Sequence, residues 1–262
     1  MQFETIKFEV ADGVAILTFN RPERMNALNV KLKEELAEAF SGPIESDAAM
    51  HVVVLTGAGK AFCAGADIKE RAQEQLPAAA FYYQQKRTQT LFRSIEESSK
   101  VTIAAINGAA LGGGLEIALC CDLRLAAADA TLGLPEARLG MIPLGGGTQR
   151  LPRVIGMARA KELIFTAQTI GAEQAAAIGL VNRTVSAESL MPDALALARR
   201  IAAMPPLAVK FAKRAMNSGI QTGIDSALEY ELYAGSILND SEDRQEGMRA
   251  FVEKRPATFK GR

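Results

Sequence analysis

The sequence predicts an α/β fold with a helical C-terminal region. Three observations predict it. Short apolar, β-branched runs bounded by turn residues recur through the first half, as in HVVVLTG (51–57) and VTIAAIN (101–107). Segments with helical apolar spacing alternate with them, the pattern of parallel strands joined by helices. From about residue 157 the strand signal thins, and 189–254 reads almost wholly helical. The chain divides softly near residue 190 into a 1–190 core and a 191–262 helical region.

The elements follow in order. TIKFEV alternates Ile6, Phe8 and Val10 against Lys7 and Glu9, and Asp12-Gly13 supplies a tight turn into VAILTFN, so residues 5–20 read as a β-hairpin. Asn29 suits the cap of a helix carrying Leu32, Leu36 and Phe40 at i, i+4 and i+8, ended by Gly42 and Pro43. HVVVLTG suits a strand buried on both faces. Residues 78–98 read as a helix, VTIAAIN as a second buried strand, LEIALCC as a helix and DLRLAA (122–127) as a third strand. GLVNRTV (179–185) is the remaining strand signal, and Pro192, Pro205 and Pro206 fall near helix starts.

Composition narrows the function. The 262 residues are 48% hydrophobic and 23% charged, with 30 basic against 30 acidic side chains, so no global field favours nucleic acid or an anionic membrane. The basic run Lys210, Lys213 and Arg214 reads as a solvated helix face rather than an RNA contact. No apolar stretch reaches membrane-spanning length; VTIAAINGAALGGGL is cut by Asn107 and its glycines. Cys63, Cys120 and Cys121 form no CxxC or even framework, which with no secretory signal in view predicts reduced thiols and a cytoplasmic protein, or a mature organellar one whose presequence has been removed. There is no GxSxG, HExxH or GxxxxGK[ST], and no ligand cluster for a metal. The single histidine, His51, reads as a strand-edge residue. Chemistry is left to carboxylates and backbone groups.

Three stretches could carry it. In AALGGGLEIALCCD (109–122) three glycines precede a helix that begins near Gly114 and carries one acid, Glu116. Helix-start N–H groups lack intrahelical partners, and glycine lets a ligand reach them, so this is a candidate oxyanion pocket. Close backbone packing, with Glu116 complementing the helix dipole, explains the same residues. KAFCAGADIKE (60–70) places small residues Ala64, Gly65 and Ala66 and a capping Asp67 after a strand, where α/β sheets bind ligands; taken alone, an ordinary capped turn is the favoured reading. GLPEARLGMIPLGGGTQRLPR (133–153) puts Glu136 near the start of a short helical turn, where it is either a second acid for proton work on one water or a solvated helix-start acid.

Together these stretches, with NRPERMNALN (20–29) and AFVEKRPATFKG (250–261), resemble the crotonase superfamily and within it the enoyl-CoA hydratases, in order and spacing over nearly the whole chain. The resemblance implies a spiral of ββα units with a helical C-terminal region that serves trimerisation and covers part of the active site. It implies a homo-oligomer, a trimer or dimer of trimers, an acyl-CoA thioester ligand, and no cofactor beyond the CoA of the substrate. It implies an oxyanion hole from the N–H groups of Ala66 and Gly113, and catalysis by Glu116 and Glu136. Ala64, Ala66, Asp67, Ile68 and Lys69 would line the CoA side, and Phe251 and Lys254 would reach a CoA on a neighbouring subunit. One departure is visible: Leu144 stands in IPLGGGTQR where the family often has glycine; the resemblance implies that its backbone N–H helps hold the catalytic water at the substrate site, and a need for positive φ there would strain it.

The activity so implied adds water across the 2,3-double bond of a trans-2-enoyl-CoA. Rivals are a 3-enoyl to 2-enoyl isomerase, a branched methylglutaconyl-type hydratase and, in a different class, an RNA-binding protein of the same fold. Acyl-length preference is expected to depend on residues 68–91, including Glu74–Pro77 and Phe81–Tyr83.

Overall fold

A computed structural model describes residues 3–262. The hairpin forms as read: β1 (Ile6–Ala11) and β2 (Val14–Phe19) pair antiparallel, with Asp12 and Gly13 both at positive φ, the turn whose twist matches the strands. α1 (Val30–Ser41) is capped by Asn29, whose side chain accepts from the Leu32 N–H at 2.9 Å. Pro43 does more than end it, because it opens a short α2 (Pro43–Ser46).

The next residues repeat one unit. β3 (Val52–Gly57) and β4 (Ala61–Cys63) lead into α3 (Ile68–Arg71) and α4 (Ala78–Glu96). β5 (Val101–Ile106) and β6 (Ala109–Leu111) lead into α5 (Gly113–Cys120). β7 (Leu123–Ala127) and β8 (Thr131–Gly133) lead into a 3-10 turn (Pro135–Leu139), α6 (Gly147–Ile155) and α7 (Met157–Thr166). The first strand of each unit adds in parallel to a six-stranded sheet of order β1-β2-β3-β5-β7-β10, and the second to a four-stranded sheet, β4-β6-β8-β9. β9 (Thr169–Gly171), α8 (Ala172–Ala177) and β10 (Arg183–Val185) close both sheets. This is a ββα spiral. α9 (Leu190–Ala202), α10 (Pro206–Gly219), α11 (Ile224–Asn239) and α12 (Glu242–Glu253) follow.

The central strands read as continuous apolar runs because both faces are covered. Val53 and Leu55 of β3 join Ala104 and Ile106 of β5 on the face packed by α1, α4 and α5. Val52 and Val54 join Ile103 and Leu125 on the opposite face, against Leu190, Ala194 and Ala198 of α9. Phe19 and Phe62 meet edge-to-face at 5.2 Å, joining the two sheets.

Lys213 departs from the sequence reading. It is buried on α10, with its ammonium donating to Asp122 Oδ2 and to the Lys100 carbonyl, each at 2.8 Å. The run around it is therefore not a uniformly solvated face, since one of its cations docks the helix onto the sheet. His51 directly precedes β3 and donates its N–H to the Gly13 carbonyl, at the strand edge as read. Among the described residues no helix is long and apolar enough to cross a membrane.

Candidate functional site

The site forms where the two sheets meet the start of α5. That helix is buried on all sides, Gly114 through Cys120, which is why its sequence is apolar all round. It begins at Gly113, one residue earlier than read. Gly112 takes φ 50°, and a β-carbon there would fall 2.9 Å from Glu136 Oε1. One at Gly114 would fall 2.0 Å from the Cys63 carbonyl, a backbone contact that cannot give way. A β-carbon at Gly113 would meet only the Leu28 side chain tip closely, and would sit 3.9 Å from Ala66 N. The triplet thus serves both packing and access.

Ala66 is brought beside Gly113 by the 20–29 segment. Leu28 bridges Ala66, its N–H donating to the Gly65 carbonyl at 2.7 Å while its own carbonyl accepts from Asp67 N–H at 3.2 Å. Among the described residues, the N–H groups of Ala66 and Gly113 donate to no protein acceptor. Two unspent donors this close can stabilise a negatively charged oxygen. Asp67 caps α3 and is held by Arg21 at 3.1 Å. Burial opposes its charge, but the Arg21 guanidinium and backbone donors keep its carboxyl below the usual range, so it fixes the turn. Ala64 and Ala66 are half-buried along this turn, whereas Ile68 and Lys69 are exposed beyond it.

Glu116 is 4% exposed, one turn into α5. Burial pushes its carboxyl up to about 7; the nearby Glu136 charge adds to this, while N–H donors of Gly147 and Gly145 and the Arg150 charge oppose it. The Gly147 N–H donates to Oε1 at 2.7 Å. Glu136 sits in the 3-10 turn, as read, and is half-buried; desolvation raises its pKa too, against the pull of Arg71. Among the described residues its Oε2 is buried without a hydrogen-bond partner. Two carboxyls that burial holds above the ordinary carboxylate range, beside two free N–H donors, can exchange protons with a substrate or a water.

Leu144 is not among the residues at positive φ, so the feared strain is absent. Its carbonyl accepts from Gln89 Nε2 at 2.9 Å. Phe251 and Lys254 do not join the glutamates within this chain: Phe251 is 84% exposed on α12, and Lys254 caps that helix at φ 52°. Two grooves, about 440 Å³ between α1 and α4 and about 380 Å³ along α12, contain neither glutamate. Sequence reasoning missed Arg21, Asn26 and Arg150. Asn26 is fully buried and donates to the carbonyls of Ala58 and Ala61, stitching the 20–29 segment to β4. No periodicity marks such residues; polar side chains beside the motifs were the available signal.

A two-sheet ββα spiral with paired glutamates and exposed backbone donors defines a class, and comparison with known proteins agrees. The sequence model of the enoyl-CoA hydratase/isomerase family matches residues 9–262, and the chain belongs to that family. It is 44% identical over 260 residues to the crotonyl-CoA hydratase of Syntrophomonas wolfei, covering 99% of each chain. It is 44% identical over 257 residues to the short-chain-enoyl-CoA hydratase of Clostridium acetobutylicum, covering 97% of each. The crystal structure of an enoyl-CoA hydratase from Bacillus anthracis superposes with a TM-score of 0.95 at 43% identity, covering 99% of this chain and all of that one.

Proposed function

We propose that this chain is an enoyl-CoA hydratase that adds water to a short trans-2-enoyl-CoA, giving the 3-hydroxyacyl-CoA. The observation that carries the reading is geometric: the buried Glu116 carboxyl, held by Gly147 N–H, and the Glu136 carboxyl with its unpartnered Oε2 lie at the turn where the N–H groups of Ala66 and Gly113 have no protein acceptor. The names of the relatives support a short acyl chain.

In this reading the thioester oxygen takes both donors, Ala66 N–H and Gly113 N–H. Charge develops on that oxygen as the enolate forms, and one such donor is typically worth on the order of 3 kcal/mol, about a hundredfold in rate. Glu116 orients and activates the water whose oxygen bonds to C3, and Glu136 exchanges the proton at C2. The Glu136 charge helps hold the Glu116 proton, and burial raises both carboxyls. Asp67 acts by holding the Ala66 turn, while Ala64, Ile68 and Lys69 flank the CoA. The Leu144 N–H would help hold that water, as the resemblance implies. CoA is part of the substrate, and this chemistry requires no metal or redox cofactor. Fatty-acid β-oxidation uses this step, and three free thiols suit the cytoplasm.

The test follows crotonyl-CoA by loss of the enoyl-thioester absorbance. Glu116→Gln and Glu136→Gln are each expected to lower kcat by at least about a hundredfold with KM nearly intact. Near-parental turnover in either variant overturns its assignment. Faster conversion of a 3-enoyl-CoA than hydration of crotonyl-CoA would instead identify an isomerase.

A further inference from the structure

Glu116 is held by a turn, and the turn is itself held from behind. On its inner side Gly147 N–H reaches Glu116 Oε1 at 2.7 Å. A β-carbon on Gly145 would fall 2.6 Å from Glu116 Oε2, so this turn is wrapped against the carboxylate. On its outer side Arg150, from α6, donates Nη1 to the Gly145 carbonyl at 2.9 Å. Its other donors are taken by Glu96 at the end of α4, Nε to Oε1 at 3.2 Å and Nη2 to Oε2 at 2.7 Å. Such a two-point clamp fixes the plane of a guanidinium. Gly146, at φ 111°, completes the fit: a β-carbon there would lie 2.0 Å from Arg150 Nη1. The guanidinium fills the space that a side chain on the turn would need. Gln89, also on α4, grips the preceding carbonyl of Leu144, whose peptide carries the Gly145 N–H.

We propose that Arg150, clamped by Glu96, is a positioning residue for Glu116, pressing the Gly145–Gly147 turn onto that carboxylate through the Gly145 carbonyl. The inference rests on the reading of Glu116 as the group that handles water. The charged and titratable groups around Glu116 are Glu136 from the 3-10 turn, Arg150 from α6 with its partner Glu96 on α4, and Cys120 one turn along α5. Arg150 is the cation among them, so its removal disfavours the ionised carboxylate.

The experiment measures kcat and KM for crotonyl-CoA from about pH 5 to 9 in Arg150→Met, Arg150→Lys and Glu96→Gln, with Glu116→Gln as reference and melting temperatures for all. Arg150→Met is expected to lower kcat about ten- to a hundredfold with KM within about twofold, as misplacement of a catalytic group does. Its acidic limb should move to higher pH. Arg150→Lys should return the limb toward the parent without restoring kcat, because an ammonium cannot hold Glu96 and Gly145 in one plane. Parental kcat and limb in Arg150→Met, with Glu116→Gln inactive, overturn the inference and leave the reading of Glu116 intact. An active Glu116→Gln overturns that reading instead. A fall in kcat accompanied by a raised KM and an unmoved limb marks general loosening and also overturns the inference. If Arg150→Met does not fold, Glu96→Gln decides by the same split: lowered kcat at constant KM supports it, and parental kcat overturns it.

Discussion

At the scale of residues, Glu116 sits where a carboxylate is disfavoured, inside a helix buried on every side. Its pKa in the fold stands above the ordinary carboxylate value, so the folded chain binds that proton more tightly than the unfolded one. The resulting stability is present below about pH 4.5 and is lost as pH rises through about 7, on the order of 3 kcal/mol for a group this buried. Glu116→Gln keeps the shape and an acceptor for Gly147 without the charge. Denaturant titration at about pH 8.5 should therefore find it more stable than the parent by up to about 3 kcal/mol, with the gain shrinking near pH 5. Equal stability at both values would mean that ionising Glu116 carries no such penalty. The glycines before it were legible only as a set. The conformation of Gly112 and the close approach of Gly114 to Cys63 belong to contacts between distant segments, which no local pattern displays.

At the scale of elements, legibility followed length, except for the three-residue β10 inside GLVNRTV. The five- and six-residue strands of the large sheet announced themselves through apolar, β-branched runs, and Asn29 announced its helix through its cap. The four strands of the small sheet have three residues each, too few for any period, and residue patterns alone gave no strand there. Those strands deliver Gly65 and Gly112 to one another, so the least legible elements build the site. Docking of α10 was also hidden, because Lys213 looks like any helix-surface cation. Its pair with Asp122 is largely buried, and Asp122 also accepts from the N–H and hydroxyl of Thr102. Lys213→Met is expected to destabilise the fold by on the order of 3 kcal/mol by leaving that carboxylate short of its cation, and Asp122→Asn in the same chain should recover part of the loss. A double-mutant cycle of urea unfolding measures both, and strictly additive losses would show that the pair is uncoupled.

At the scale of the whole molecule, α10–α12 leave Met216, Ile220, Ile224, Leu232 and Phe251 exposed. These are the side chains that a neighbouring copy would cover in the trimer or dimer of trimers that the resemblance implies, where Phe251 and Lys254 would be offered to a neighbour's CoA. Sedimentation should give a multiple of three chains, and Lys254→Ala should raise KM for crotonyl-CoA with little change in kcat. A monomer with parental KM in that variant would remove both residues from the site. The sequence by itself determined the α/β class, the long strands, the capped helices and, through ordered motifs, the family and its two glutamates, because periodicity and motif spacing are properties of contiguous residues. Tertiary structure alone decided that Ala66 and Gly113 sit side by side, that Leu144 is unstrained, that Lys213 is buried, and that Arg150 grips the turn around Glu116. Each of these depends on segments far apart in the chain meeting at hydrogen-bonding distance, where burial and charge, rather than local pattern, set what a residue does.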